Sequence, residues 1–289
     1  GRLGDGVPLA NEWTVVRPEV SVRDFDLGYF HTLVNRANGA IDTIGYNAHG
    51  QLGDGTTDNR ATWATVIEAN ATRVGANYYH GLYLDANGSL HGFGYNSQGQ
   101  LGDGSNLHRN TSIMIEPSGV TELSVGSHHS MYLKTDGSLW ATGYNKYGQL
   151  GDGSNTNRNT PVRIEEEGVV SVFVGTHHSL YLKADGSLWG MGYNYNGQLG
   201  NGQNGGSSEE FNGGINHPPP PQIGASGVVA MAPGYSHSLF IKDDGSLWGM
   251  GSNGHNRLGI ADTINYPSPV QIVASGVVAA VAGSDHHLF

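Results

Sequence analysis

The sequence predicts an all-β propeller made of four-stranded blades, and three observations carry that prediction. One phrase occurs six times: GRLGDG at Gly1, GQLGDG at Gly50, Gly99 and Gly148, GQLGNG at Gly197 and a degenerate HNRLGI at His255. Its leucines (Leu3, Leu52, Leu101, Leu150, Leu199 and Leu258) are spaced by 49 four times and then by 59. Between the copies lie short β-forming runs punctuated by Gly, Asn and Asp. A period of that length marks stacked supersecondary units and argues against a single-core enzyme.

The elements of one repeat follow in order. Gly168 to Gly175 is a β-branched run bounded by glycines and predicts a buried first strand. His178 to Lys183 alternates and predicts the second. Asp185-Gly186 is a two-residue hairpin signal, recurring as Asn38-Gly39, Asn87-Gly88, Asp136-Gly137 and Asp244-Gly245. Ser187 to Gly192 predicts the third strand, and Pro161 to Ile164 of the preceding copy shows the fourth. Trp140, Trp189 and Trp248 hold one third-strand position, occupied by Asp42 and His91 in earlier copies, which suits packing between blades.

Composition narrows the function classes. The 289 residues include 46 glycines and only 13% charged residues, with a net charge of −11. That balance disfavours nucleic acid, whose recognition needs clustered Lys and Arg. With no cysteine in the sequence, thiolate catalysis, disulfides and Cys-based metal sites are excluded. No apolar run approaches the roughly 18 residues that span a bilayer. There is no HExxH, no nucleophile elbow and no phosphate loop, so an enzyme is not expected, and no cofactor or metal is assigned. Low charge, abundant Asn, Gly and Thr, and the lack of cysteine suggest a bacterial secreted or surface protein.

The pattern SGVxxVxxGxxHSLYLKxDGSLWGxGYNxxGQLGDG, seen around Ser171 to Asn201 and in neighbouring copies, resembles the repeats of the regulator of chromosome condensation (RCC1-like) family, in its bacterial form. The likeness covers essentially all of the chain. It implies a β-propeller, commonly of seven blades, and uses that include guanine-nucleotide exchange, chromatin binding, photoreception and β-lactamase inhibition. The thread shared by these uses is protein–protein recognition. The Gly-Trp-Arg-His-Thr motif of the photoreceptor members is absent, and the acidic balance speaks against chromatin.

Residues 1–289 are therefore expected to form a single propeller domain, six- or seven-bladed when complete, and to be part of a longer chain. Six repeats are visible, and Trp13 to Val16 is expected to supply the outer strand of the last blade, so that few sheet edges stay open. A loop insertion spans residues 203–221.

Variation between copies points to the functional face. In sequential blades the turns after strands one and three share a face. Residues preceding the repeat histidine vary there: Tyr29-Phe30, Tyr78-Tyr79, Ser127-His128, Thr176-His177, Tyr235-Ser236 and Ser284-Asp285. So do residues of the third-strand turn: Ala48-His49, Ser97-Gln98, Lys146-Tyr147, Tyr195-Asn196 and Gly254-His255. The expected partner-binding face is thus Tyr29, Phe30, His49, Tyr78, Tyr79, Gln98, His128, Lys146, Tyr147, His177, Tyr195, Asn196, Tyr235 and His255. Exposed aromatics of this kind are typical anchors, the alternative being a plug in the channel mouth.

The repeat histidines His31, His80, His129, His178, His237 and His286 are expected to be structural, each bonding a neighbouring turn. A protein is the expected partner, with a glycan as the alternative because Tyr and Asn share the turns. A structural subunit or self-associating spacer of a surface protein is the remaining reading. Membrane insertion is not expected.

Overall fold

A computed structural model describes residues 21–205, 222–223, 226–283 and 287–289. It is all-β, a ring of antiparallel sheets. Blade 1 is β1 (Val22–Leu27), β2 (His31–Arg36), β3 (Ile41–Gly45) and β4 (Arg60–Ile67). Blade 2 is β5 (Ala71–Asn77), β6 (His80–Asp85), β7 (Leu90–Gly94) and β8 (Arg109–Glu116). Blade 3 is β9 (Val120–Val125), β10 (His129–Lys134), β11 (Leu139–Gly143) and β12 (Arg158–Glu165). Blade 4 is β13 (Val169–Val174), β14 (His178–Lys183), β15 (Leu188–Gly192) and the two-residue β16 (Gln222–Ile223). Blade 5 is β17 (Val228–Pro233), β18 (His237–Lys242), β19 (Leu247–Gly251) and β20 (Tyr266–Val273). A sixth blade contributes β21 (Val281–Ala282) and β22 (His287–Leu288). Trp13 to Val16, expected to close the last blade, and most of the 203–221 insertion lie outside the described residues.

The blade hairpins depart from the two-residue turn expected of Asp-Gly. Arg36 N–H bonds the Ala40 carbonyl, Gly39 N–H bonds Arg36, and only the glycine has positive φ, +82°. This is the longer loop in which an ordinary turn is followed by one left-handed residue. The side chain before the glycine does separate work. Asp185 accepts from Ser187 N–H at 2.9 Å, and Ser187 Oγ accepts from Trp189 Nε1 at 2.8 Å. That chain of bonds explains why Asp-Gly-Ser-Leu-Trp recurs as a block. The fourth strand is also longer than Pro161 to Ile164, because Arg158 pairs with Gly143 across a bulge.

The core lies between the blades. Met131, Leu139 and Leu150 of blade 3 pack on Val172, Tyr181 and Met191 of blade 4, with Trp189 at the margin. Leu180, Leu188 and Leu199 of blade 4 meet Met231, Phe240 and Met250 of blade 5, with Trp248 at the margin. Apolar faces that a single sheet cannot bury are thus buried by stacking. Innermost strands are tied by side chains as well. Asp24 and Asp26 accept from Val74 and Ala76 N–H, and Glu122 and Ser124 accept from Val172 and Val174 N–H. These carboxylates and hydroxyls satisfy strand edges facing the channel.

The repeated phrase builds a loop. Asn145 is fully buried; its Oδ1 accepts from Leu150 N–H, while its Nδ2 donates to Asp152 at 2.9 Å. Arg158 clamps Asp152 at 2.6 Å. Burial acts to raise the Asp152 pKa, but the bonds from Arg158, Ser154 and Asn145 outweigh it and hold the carboxyl below the usual range. Asp54 with Arg60 and Asp103 with Arg109 repeat the device.

Candidate binding face

The turns after strands one and three of each blade gather on one face. Their spacing is set by two local rules. First, the turn before the repeat histidine closes on itself, as in Gly126 N–H to His129 O at 2.9 Å, and the ring lies against a glycine at His31, His129, His178 and His237, while Asn77 opens the turn before His80. A Cβ on Gly126 would stand 2.7 Å from the His129 ring, so a side chain there would have to displace the ring. Second, the tyrosine opening the third-strand turn bonds back to the residue before the histidine. Tyr46 to Phe30, Tyr95 to Tyr79, Tyr144 to His128 and Tyr193 to His177 are all N–H to carbonyl bonds of 2.8–2.9 Å. Gly143, at φ +108°, permits that approach, because a Cβ there would sit 2.5 Å from the His128 carbonyl oxygen.

The side chains so placed form one unbroken run of touching rings across five blades. Tyr29 meets Phe30 and Tyr78, and Phe30 meets Tyr46 and Tyr79. His49 joins Tyr79 to Tyr95 and His108. His128 touches Tyr78, Tyr95 and Tyr144. The run continues through Tyr147 and His177 to Tyr193, Tyr195 and Tyr235. Tyr29 and Tyr235 remain 53% and 52% exposed, so the carpet faces solvent at its inner edge.

The face is uncharged where the rings are densest. Burial pushes the His49, His108 and His128 pKa values down. His177 falls to about 4, through burial and then repulsion from His128. These imidazoles are neutral near pH 7. His108 Nδ1 accepts from Asn96 N–H at 3.0 Å, which places its proton on Nε2.

At the centre the turns of all six blades surround a cavity of about 570 Å3. Tyr29, Asn77, Tyr78, Ser127, Thr176 and Tyr235 line it, with no charged side chain among the described residues.

The expected face residues fall into four groups. Tyr29, Phe30, His49, Tyr78, Tyr79, His128, Tyr147, His177, Tyr195 and Tyr235 enter the ring run. Gln98 and Asn196 lie on the same face but staple adjacent blades, accepting from Asn157 Nδ2 at 2.7 Å and Asn265 Nδ2 at 3.1 Å. Lys146 is exposed at the rim, and its carbonyl receives Asn155 Nδ2. His255 stands apart, exposed in a short 3-10 turn (Gly254–Asn256) with a φ of +63°, and touches no ring among the described residues.

Sequence reasoning missed Tyr46, Tyr95, Tyr144, Tyr193 and His108. The tyrosines recur before every buried asparagine up to Asn194, so their constancy hid them. His108 stands at the position of Asn59 and Asn157, which cap the same turn, and that substitution was the available signal.

The repeat histidines bond the neighbouring blade's second strand, where a neighbouring turn was expected. His80 reaches Ser130 at 2.9 Å, His129 reaches Ser179 at 2.8 Å and His178 reaches Ser238 at 2.8 Å. The serine follows the next blade's own histidine, so the latch links two consecutive copies of one dipeptide. In blade 2 the serine's place is taken by Gly81, and neither ring nitrogen of His31 has a partner among the described residues. His237 is buried, and His286 lies outside the described residues.

The family described as RCC1-like domain matches residues 1–289. No curated protein matches the chain in sequence. Among solved structures, human WBSCR16 aligns with a TM-score of 0.82 at 21% identity, over 99% of this chain and 78% of its own. Yeast RCC1 (Prp20), in its complex with Kap60, gives 0.73 at 20% identity over 90% and 65%. Prp20p of Saccharomyces cerevisiae, described with its binding to Gsp1p and histones, gives 0.66 at 18% identity over 90% and 80%. At such identities the likeness speaks for the propeller alone.

Proposed function

Since the chain belongs to the RCC1-like domain family, we propose that it is a non-enzymatic recognition module that binds a protein through its aromatic, histidine-bearing face. The observation that carries this reading is the unbroken run of rings from Tyr29 to Tyr195, presented on backbone-bonded turns, with His49, His128 and His177 held neutral by burial. Large, stiff, amphipathic side chains lose little entropy on docking and concentrate binding energy. The neighbours Prp20 with Kap60 and Prp20p with Gsp1p and histones are protein binders, which supports the same class of partner. Their partners are not carried over.

The test is affinity capture from the source organism's extract and medium. Wild type is compared with Tyr29→Ala/Tyr78→Ala/Tyr147→Ala/Tyr195→Ala, with circular dichroism as the control for folding. A protein retained by wild type and lost by the folded variant supports the proposal. Equal retention by both sinks the assignment of the face.

A glycan is the second reading, because the central cavity joins tyrosine rings to Asn77, Ser127 and Thr176, a lining suited to a sugar ring. A glycan array that lights up while protein capture stays empty would favour it. The proposal extends to location outside the cell, resting on composition, and is checked by fractionation.

A further inference from the structure

The blades supply an internal comparison at the ends of their second and third strands. Each brings the last residue of strand two beside the second residue of strand three, and in the first four that strand-two residue has an ionic or hydrogen-bonding partner. Arg36 is paired by Asp42, and Asp85 by His91. Lys134 lies 5.2 Å over the Trp140 ring and is held by Glu116 at 3.0 Å. Lys183 lies 4.9 Å over Trp189 and is held by Glu165 at 3.1 Å. In blade 5, Lys242 lies 4.7 Å over Trp248, but no carboxylate among the described residues pairs with it.

The rest of the anion's setting has changed as well. Tyr132 and Tyr181 direct hydroxyls at Glu116 and Glu165, whereas blade 5 has Phe240 at that position. Glu165 follows Ile164 in the sequence, but glycine, at position 224, follows the equivalent Ile223. Carboxylate and hydroxyl are lost together while cation and indole are kept. Beside them runs a groove of about 460 Å3, whose lining includes Lys242, Trp248, Phe240, Gln222, Asn201 and Ser268.

We propose that this groove between blades 4 and 5 binds a carboxylate, with Lys242 pairing the anion and Trp248 packing against the ligand's apolar body. A half-buried ammonium over an indole gains from an anion brought to its open side, and amide and hydroxyl groups stand ready for the second oxygen. The site is independent of the aromatic face, so either can fail alone.

The experiment follows the indole N–H resonances of the five tryptophans while sodium propionate replaces sodium chloride at constant ionic strength. Trp248 is expected to shift saturably, while Trp140 and Trp189, whose lysines are already paired, stay still and report an intact fold. Lys242→Met abolishes the shift. Glu165→Gln transfers the response to Trp189 by freeing Lys183. A capped Gly-Glu-Gly peptide saturating at tenfold lower concentration assigns the site to a partner's acidic side chain; no preference assigns it to a free organic acid. The proposal is overturned by a still Trp248, by a shift that survives Lys242→Met, or by a response that appears only after Glu209→Gln and Glu210→Gln. The last outcome means that the chain's own carboxylates fill the groove.

Discussion

His80 Nε2 donates to Ser130 Oγ of the next blade across 2.9 Å, because the serine hydroxyl is itself committed to the Gln100 carbonyl at 2.8 Å. A carbonyl can only accept, so the imidazole must carry its proton on Nε2. Two blades and a loop are thereby locked through one buried hydroxyl. Ser130→Ala is expected to leave the fold unchanged and to lower stability by about 1–3 kcal/mol, the cost of stranding a buried donor and acceptor. Urea unfolding measures it; a change below about 0.5 kcal/mol would show that the latch adds nothing.

Blade 2 breaks the pattern for a steric reason. Ser179 and Ser238 pair across the strand with Met191 and Met250, but Gly81 pairs with Phe93. A Cβ on Gly81 would lie 2.9 Å from both the Phe93 ring and Leu33 Cδ2, so a serine partner for His31 cannot simply be added. Gly81→Ser alone should therefore destabilise by about 1–3 kcal/mol through overpacking. Combined with Phe93→Met it should recover most of that loss, giving a favourable coupling of about 1 kcal/mol or more in a double-mutant cycle. Simple additivity of the two changes would show that the ring is not the obstacle.

The buried histidines make the ring acid-sensitive at a pH above that expected of carboxylates alone. Burial takes His31, His80 and His178 down to about 3, whereas unfolded histidine titrates near 6.5. Between those values the unfolded chain holds protons that the folded one refuses, so stability falls as pH drops below about 6.5. The slope is about 1.4 kcal/mol per pH unit for each such histidine. Asp26, raised by burial to about 6, works the other way and offsets part of the loss between its unfolded value and pH 6. Asp54, Asp103 and Asp152, held low by their arginines against the effect of burial, add a further loss in stronger acid. Denaturation midpoints from pH 7.5 to 4 should show the early decline, and a flat profile above pH 5 would contradict it.

The face should be energetically lopsided. Tyr78 lies within the ring run and beside the central cavity, while His255 touches no described ring. Tyr78→Ala is expected to weaken partner binding by about 2 kcal/mol or more, as for a packed anchor. His255→Ala should change it by no more than about 0.5 kcal/mol. Calorimetry with the captured partner reads both, and the reverse order would move the contact to blade 5.

Fold and face were unequally legible in the sequence. The 49-residue period and its β-forming runs carried the blades because each blade's backbone is specified locally, by Asp-Gly-Ser turns and buried Asn loops. Hairpin geometry was misjudged because an Asp-Gly pair serves two turn types that differ in which residue turns left-handed. Variation between copies located Tyr29, Tyr78 and His177, which differ from blade to blade. The same criterion passed over Tyr46, Tyr95, Tyr144 and Tyr193, which are both scaffold and surface: the backbone amide fixes the turn while the ring faces outward. The latch was half visible, since a histidine repeats openly, but its serine is supplied by the following copy and only the stacking of adjacent blades brings them together.

The closed turn before each described repeat histidine, opened by glycine in four blades and by Asn77 in the second, has an evolutionary consequence. With both ends of that turn held, the two residues between them form a slot of fixed length, repeated in the five blades described. Drift or selection can rewrite the contents of a slot, Tyr-Phe for Thr-His, without touching the framework that holds it. The surface behaves as an addressable grid, on which specificity is retuned one cell at a time while the foldability of the whole is left alone.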